Sequence, residues 1–180
     1  YGKPLVRPAA LAKVTGLADY GEDMALKMPP ETLHVAVVQP RVAHHAKILK
    51  INTEEALNMP GVVKVITHAD IKANGGTNQM AEANLHERST VTLPSRKILC
   101  DEKIFRYGDV VALAIAHTPA QARAAAAKVV VDVEPLPEYL NFLDAVMPDA
   151  IRVHEDTPNL FCYQPVLKGD ALEDAEKIPE

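Results

Sequence analysis

Tryptophan is absent from this chain, and rings of any kind are scarce: five tyrosines and three phenylalanines in 180 residues. So few aromatic faces leave no platform for stacking bases or sugars, and the core has to be aliphatic. Cysteine is nearly absent as well. Cys100 and Cys162 lie far apart, which suits a reduced, cytoplasmic chain better than a disulfide framework. Two cysteines also exclude an iron–sulfur cluster held by this chain alone, because such a cluster ordinarily takes four thiolates. Charge of one sign is not in excess: 19 basic residues face 24 acidic ones, for a net −5. No basic stripe exists to follow a nucleic-acid backbone. No apolar run approaches the roughly 20 residues that span a bilayer, and no secretory leader is expected. Neither nucleic acid nor a membrane is therefore an expected partner.

The chain is rich instead in alanine and valine. Residues 103–116 open with mixed side chains, turn at Gly108-Asp109, and become the longest apolar run of the sequence, which reads as a buried strand. Thr118 then caps a helix with Pro119 at its first position and strong helix formers through Lys128. Residues 129–134 follow as a second strand, stopped by Pro135 and Pro137, because proline cannot donate to a ladder. An earlier unit has the same order. Residues 42–51 hold an extended or hairpin-like piece, with 48–51 as its strand; residues 53–58 form a short helix capped by Asn52, with Glu55 reaching back; Pro60-Gly61 ends it; and 62–67 is a strand. These units predict an α+β domain built on a mixed sheet, with its two main helices at 53–58 and 119–128.

Residues 1–30 read as an extended leader in which Gly16 turns between two short extended pieces. The first strand spans 33–38 and is apolar almost throughout, so both of its faces are expected to be covered. Residues 72–96 shift to Asn, Gly, Thr, Ser and charge. A loop of that length is a candidate for contact with something outside the domain. Residues 139–146 can form one short helix, and 148–180 reads as a linker. A tyrosine at the first position and a charged last segment predict a piece of a longer polypeptide.

Several residues invite a chemical reading, and each has a plainer one. Asp19, Glu22 and Asp23 lack the full ligand loop that calcium requires and read as solvated charges. His44 and His45 are adjacent, so on a strand they point to opposite faces and cannot share a metal ion. Gly75-Gly76 lacks the Lys-Ser/Thr that a phosphate-binding loop needs and reads as a flexible joint. Cys100 has no histidine beside it in sequence and reads as an unactivated thiol. His154 stands beside Glu155 and Asp156, but Asp156, Thr157, Pro158 and Asn159 are turn residues, and a polar turn without a pocket is expected. No catalytic, cofactor-binding or metal-binding residue is assigned.

An ordered set of phrases adds a resemblance. Lys13-Val14-Thr15-Gly16 with Ala18 and Tyr20, residues 33–38, residues 53–57 and Pro60-Gly61-Val62 occur in that order. They are followed by Tyr107-Gly108, 111–116, 122–126, 134–137, Asn159 and Gly169-Asp170. Together they resemble the α/β hammerhead domain at the start of the molybdenum-binding part of the aldehyde oxidase and xanthine dehydrogenase family, most of all its bacterial aldehyde oxidoreductases. The chain departs from those phrases at His44-His45, at Asp109, where glutamate or glutamine is common, and over 72–96.

The resemblance implies a parent enzyme that hydroxylates aldehydes or N-heterocycles with a molybdopterin cofactor and passes electrons to two iron–sulfur clusters, with a glutamate near the metal as general base. It implies that the clusters lie upstream and the molybdenum-binding segments downstream. This domain would then be structural and inactive alone, with the downstream molybdenum-binding domains and an iron–sulfur domain or subunit as its partners. The competing reading is a free-standing module that binds a small molecule or a protein. An exposed apolar patch favours the first reading and a ligand pocket the second. An independent hydrolase or oxidoreductase lacks a nucleophile, a glycine fingerprint and a ligand set.

Overall fold

The computed structural model describes residues 2, 4, 5, 7–80 and 96–160. In chain order its elements are α1 (Ala10–Val14), α2 (Gly21–Leu26), β1 (His34–Val38), β2 (Ala46–Asn52), α3 (Glu54–Leu57), β3 (Val62–Thr67) and α4 (His68–Ala73). They continue with β4 (Lys103–Ile104), β5 (Ala112–Ala116), α5 (Pro119–Ala126), β6 (Val130–Pro135) and α6 (Phe142–Ala145). The strands form two three-stranded sheets, β1-β5-β3 and β4-β2-β6, in which every pair is antiparallel. The α+β class holds, but the single mixed sheet is replaced by two antiparallel ones. The reason lies in the two strand–helix–strand units. The unit β2-α3-β3 leaves the second sheet and enters the first, and β5-α5-β6 makes the return journey. Strands flanking a helix therefore never become neighbours, and the parallel pairing such a crossover ordinarily gives does not arise.

Helix α5 starts as its sequence requires: the Gln121 amide donates to Thr118 Oγ1 at 3.2 Å, with Pro119 inside the first turn. Its buried side chains are Ala122 and Ala125, and it packs on β1 and β5, whose inward residues include Ala112, Ala114 and Ala116. Around this contact one cluster extends to the second sheet through Ala46, Ile48 and Ile104. In α3 the Glu54 amide donates to Asn52 Oδ1 at 3.1 Å. Glu55 does not reach back as expected, because its carboxylate pairs with Lys128 Nζ at 2.6 Å, beyond the end of α5.

The leader is not extended. Alanine and leucine make α1, and Gly16 closes it: at φ +72° its amide bonds to Lys13 O, and the next amide, Leu17, bonds back to Ala12 O at 2.8 Å. That pair of bonds is a Schellman motif, and a residue with a Cβ is strained at that φ. Gly75 does the same for α4, a helix that reading 72 onward as a loop overlooked. The Gly75 and Gly76 amides bond to Lys72 O at 3.0 Å and Ile71 O at 2.9 Å. At its start the Thr67 amide donates to Asp70 Oδ2 at 2.9 Å, half of a capping box spelled by the Thr-x-x-Asp spacing.

Within 72–96, residues 81–95 lie outside the described residues. The two ends of the excursion meet. Asn78 is buried; its Nδ2 donates to Leu99 O at 2.8 Å and its Oδ1 accepts from the Leu99 amide at 3.0 Å. The Met80 amide donates to Arg96 O at 2.8 Å, and Gln79 and Lys97 form an antiparallel bridge. Asn78→Ala would leave a buried amide and carbonyl of Leu99 unpaired. Urea unfolding should read a loss of about 3 kcal/mol, at the upper end for an orphaned buried polar group.

Candidate functional site

Strand alternation assigns opposite duties to the two faces of the β1-β5-β3 sheet. Residues 112, 114 and 116 of β5 are alanines and face α5, so the large residues of the same strand, Leu113 and Ile115, must face away. Register sets Val35 opposite Ile115 and Val37 opposite Leu113, and from the other side Ile66 opposite Leu113. The result is a largely aliphatic face, bounded on β3 by Lys64, which lies opposite Ile115 and pairs with Asp70 at 3.0 Å. Val35 is 57% exposed and Val37 50% exposed, so the expectation that both faces of the first strand are covered fails on this side among the described residues. Completing the burial of such half-exposed side chains gains roughly 1 kcal/mol each.

The second notable surface lies at β4. Phe105 stacks on His154 with ring centroids 4.3 Å apart and planes 3° from parallel, and Lys103 Nζ donates to Val153 O at 2.9 Å. Asn159 organises the chain behind it, accepting from the Val153 amide at 2.9 Å and donating to Ala145 O and Ile151 O at 2.7 and 2.8 Å. Thr157 is buried. Residues 148–160 therefore fold back on the domain, and a cleft of about 270 Å³ opens beside Phe105, His154 and Asp156, where no pocket was expected. Burial pushes His154 below the usual imidazole range, against the opposing pull of Asp156. Across the cleft Asp101 is paired with Lys97 at 3.6 Å and Lys72 at 3.9 Å. These charges tie chain segments together, and no nucleophile stands among them.

The remaining candidates are occupied in building the fold. Asp19 takes Lys27 at 2.6 Å and Asp23 accepts the Tyr20 amide at 3.0 Å, while Glu22 sits in the first turn of α2. His44 points outward against Tyr107, with ring centroids 5.0 Å apart, and its amide donates to Glu138. His45 points inward: its Nδ1 lies 2.7 Å from Pro137 O and so carries the proton, and its buried Nε2 has no partner. The two rings diverge as adjacent residues should. Gly75-Gly76 is a helix end. Cys100 is buried, and its thiol is pushed up to about 12, first by burial and then by the Asp109 and Asp101 charges. Cys162, Gly169 and Asp170 lie outside the described residues. Asp109, absent from the candidates, folds the turn before it by accepting the Phe105 and Arg106 amides at 2.9 and 3.0 Å; the Gly108-Asp109 pair was its sequence signal.

The family model for the "aldehyde oxidase and xanthine dehydrogenase, a/b hammerhead domain" matches residues 15–137. The chain belongs to that family. It is 49% identical over 177 residues to an aldehyde oxidoreductase of Megalodesulfovibrio gigas, spanning 94% of this chain and 18% of the relative. The solved aldehyde oxidoreductase from Desulfovibrio gigas superposes with a TM-score of 0.81 at 50% identity, over 92% of this chain and 18% of that one. A Cu,Mo-CO dehydrogenase structure gives 0.69 at 30% identity, over 86% and 18%. The hammerhead thus spans under a fifth of these proteins.

Of the cofactors that the family implies, the iron–sulfur cluster does not fit the donors present here. Two cysteines cannot ligate a [2Fe–2S] cluster. Among the described residues no three His, Cys, Asp or Glu side chains group as a metal site, and the buried atoms without partners, His45 Nε2 and His68 Nδ1, belong to residues that line neither the cleft beside His154 nor the groove along β1 and β6. No described helix is long and apolar enough to cross a membrane.

Two outcomes follow from the burial of Cys100 and His154. Native Cys100 should resist iodoacetamide at pH 8 and react once the chain is unfolded in urea, as read by peptide mass spectrometry. Because the folded His154 binds its proton less readily than an unfolded one, its contribution to docking 148–160 is full above pH 6.5 and falls as pH drops through its lowered folded value. Hydrogen exchange of the Val153 amide, corrected for intrinsic rate, should therefore speed up at pH 5 relative to pH 7.5, and His154→Phe should abolish that difference.

Proposed function

We propose that this chain is the structural hammerhead of a molybdenum-dependent aldehyde oxidoreductase or xanthine dehydrogenase-type hydroxylase, and that it holds no catalytic residue of its own. The aliphatic face of the β1-β5-β3 sheet carries the reading. A free-standing domain has no use for Val35, Val37, Leu113, Ile115 and Ile66 on one open face, whereas a domain inside a larger enzyme buries such a face against a neighbour. The neighbour is the downstream molybdopterin-binding part, and the [2Fe–2S] clusters belong to an iron–sulfur domain or subunit. Residues 1–30 lead into the domain, 31–147 form its core, and 148–180, docked back on that core over 148–160, lead toward the molybdenum-binding domain. Excursion 72–96, closed at its base by Asn78, is a second contact with those neighbours. The compartment in this reading is the cytoplasm. Relatives that span five times this length and include a Cu,Mo-CO dehydrogenase support the assignment.

The test places Val35→Lys with Val37→Lys in the parent polypeptide and, separately, in the 180-residue chain. The isolated variant should stay folded by circular dichroism and bind less of a hydrophobic dye than wild type. The parent variant should lose most of its molybdenum and most of its aldehyde turnover. A parent variant that retains both at wild-type levels would refute the packing role, and aldehyde turnover by the isolated chain would refute the absence of catalysis.

A further inference from the structure

A groove of about 520 Å³ runs between the open edges of the two sheets. Strand β1 pairs only with β5, and β6 only with β2, among the described residues. Each is an edge strand, and an edge strand presents alternate N–H and C=O groups outward, a template for another extended chain. Here the two templates face one space: residues 36–42 form one bank, 129–131 the other, and the last turn of α5 the floor. Ala36, Ala126 and Ala127 keep that lining shallow, so a backbone can approach closely. Pro40 has no N–H, which confines pairing on the first bank to residues 36–39.

Charge marks what enters. Arg41 and Arg123 line the groove, both are exposed, and neither has a carboxylate partner among the described residues. A guanidinium pairs with a carboxylate in a two-pronged arrangement that a lysine cannot copy. Open edges select a peptide over a small anion, and the arginines select acidic side chains on it. We propose that this groove receives an extended, acid-bearing segment of a partner polypeptide, adding a strand to a sheet edge. The site shares Val37 with the aliphatic sheet face but does not depend on the role assigned to that face.

Panning random displayed dodecapeptides on the 180-residue chain, followed by amide-shift mapping of the selected peptides, tests this. Selected peptides should alternate acidic and β-branched residues and should shift the amides of 36–39 and 129–131. Their affinity should fall at least tenfold for Arg41→Glu with Arg123→Glu, and less for the pair of Arg→Lys changes. Failure to enrich any peptide, enrichment without acidic residues, or shifts confined to Val35, Leu113 and Ile115 would each overturn the proposal. So would concentration-dependent shifts of 36–39 and 129–131 without peptide, which would make a second copy the occupant. The wild-type shift map stands whether or not the charge-reversed variant folds.

Discussion

The close approach of α5 to the β1-β5-β3 sheet is the constraint on which the rest of the domain depends. Ala122 and Ala125 meet a sheet whose central strand offers Ala112, Ala114 and Ala116, so no side chain longer than a methyl separates helix from strand on that strand. Interiors are packed to crystal-like density, and a larger residue at any of these positions has nowhere to go. The same economy of space fixes the other face. A strand alternates, so placing alanine inward places Leu113 and Ile115 outward, the reverse of what a solitary domain needs. The inner packing and the aliphatic outer face therefore share one cause.

Polar groups close the structure around that centre by holding segments that are distant in sequence. Asn78 binds both backbone groups of Leu99 in a buried setting, and so fixes where a long excursion leaves and returns. Asp109 gathers two amides of the preceding turn, and Asn159 gathers three backbone groups of the closing segment. These hydrogen bonds contribute more than the exposed pairs Lys27–Asp19 and Lys128–Glu55, whose charges remain in water. Reactive residue types are drawn into the same work. Cys100 is buried among carboxylates that oppose its ionisation, His154 is stacked on a phenyl ring, and His45 is spent on a proline carbonyl. A surface made for packing is what remains, in accord with a hammerhead that serves a larger enzyme.

Local instructions were legible in the sequence wherever a few neighbouring residues suffice. Thr118-Pro119 started a helix, Pro135 ended a strand, and the two short helices, at 53–58 and 119–128, lie within a residue or two of where they were expected. Other local signals were present and passed over. Gly16 and Gly75 each close a helix, and Thr67 with Asp70 spells a capping box. Short helices of five or six residues lack the periodicity that reveals longer ones.

The sequence by itself determined the element types, the alanine-rich inner face, the shortage of cysteines for an iron–sulfur cluster, and, through its ordered phrases, the family. Tertiary structure alone decided the division into two antiparallel sheets, the bare outer face of β1, the clamp at Asn78, and the facing edges of β1 and β6. The physical reason is distance along the chain. Caps and turns are settled by bonds spanning three or four residues, whereas sheet membership is settled by pairs such as Val35 with Ile115 and Ala46 with Pro135, whose free energy appears only after long loops have closed.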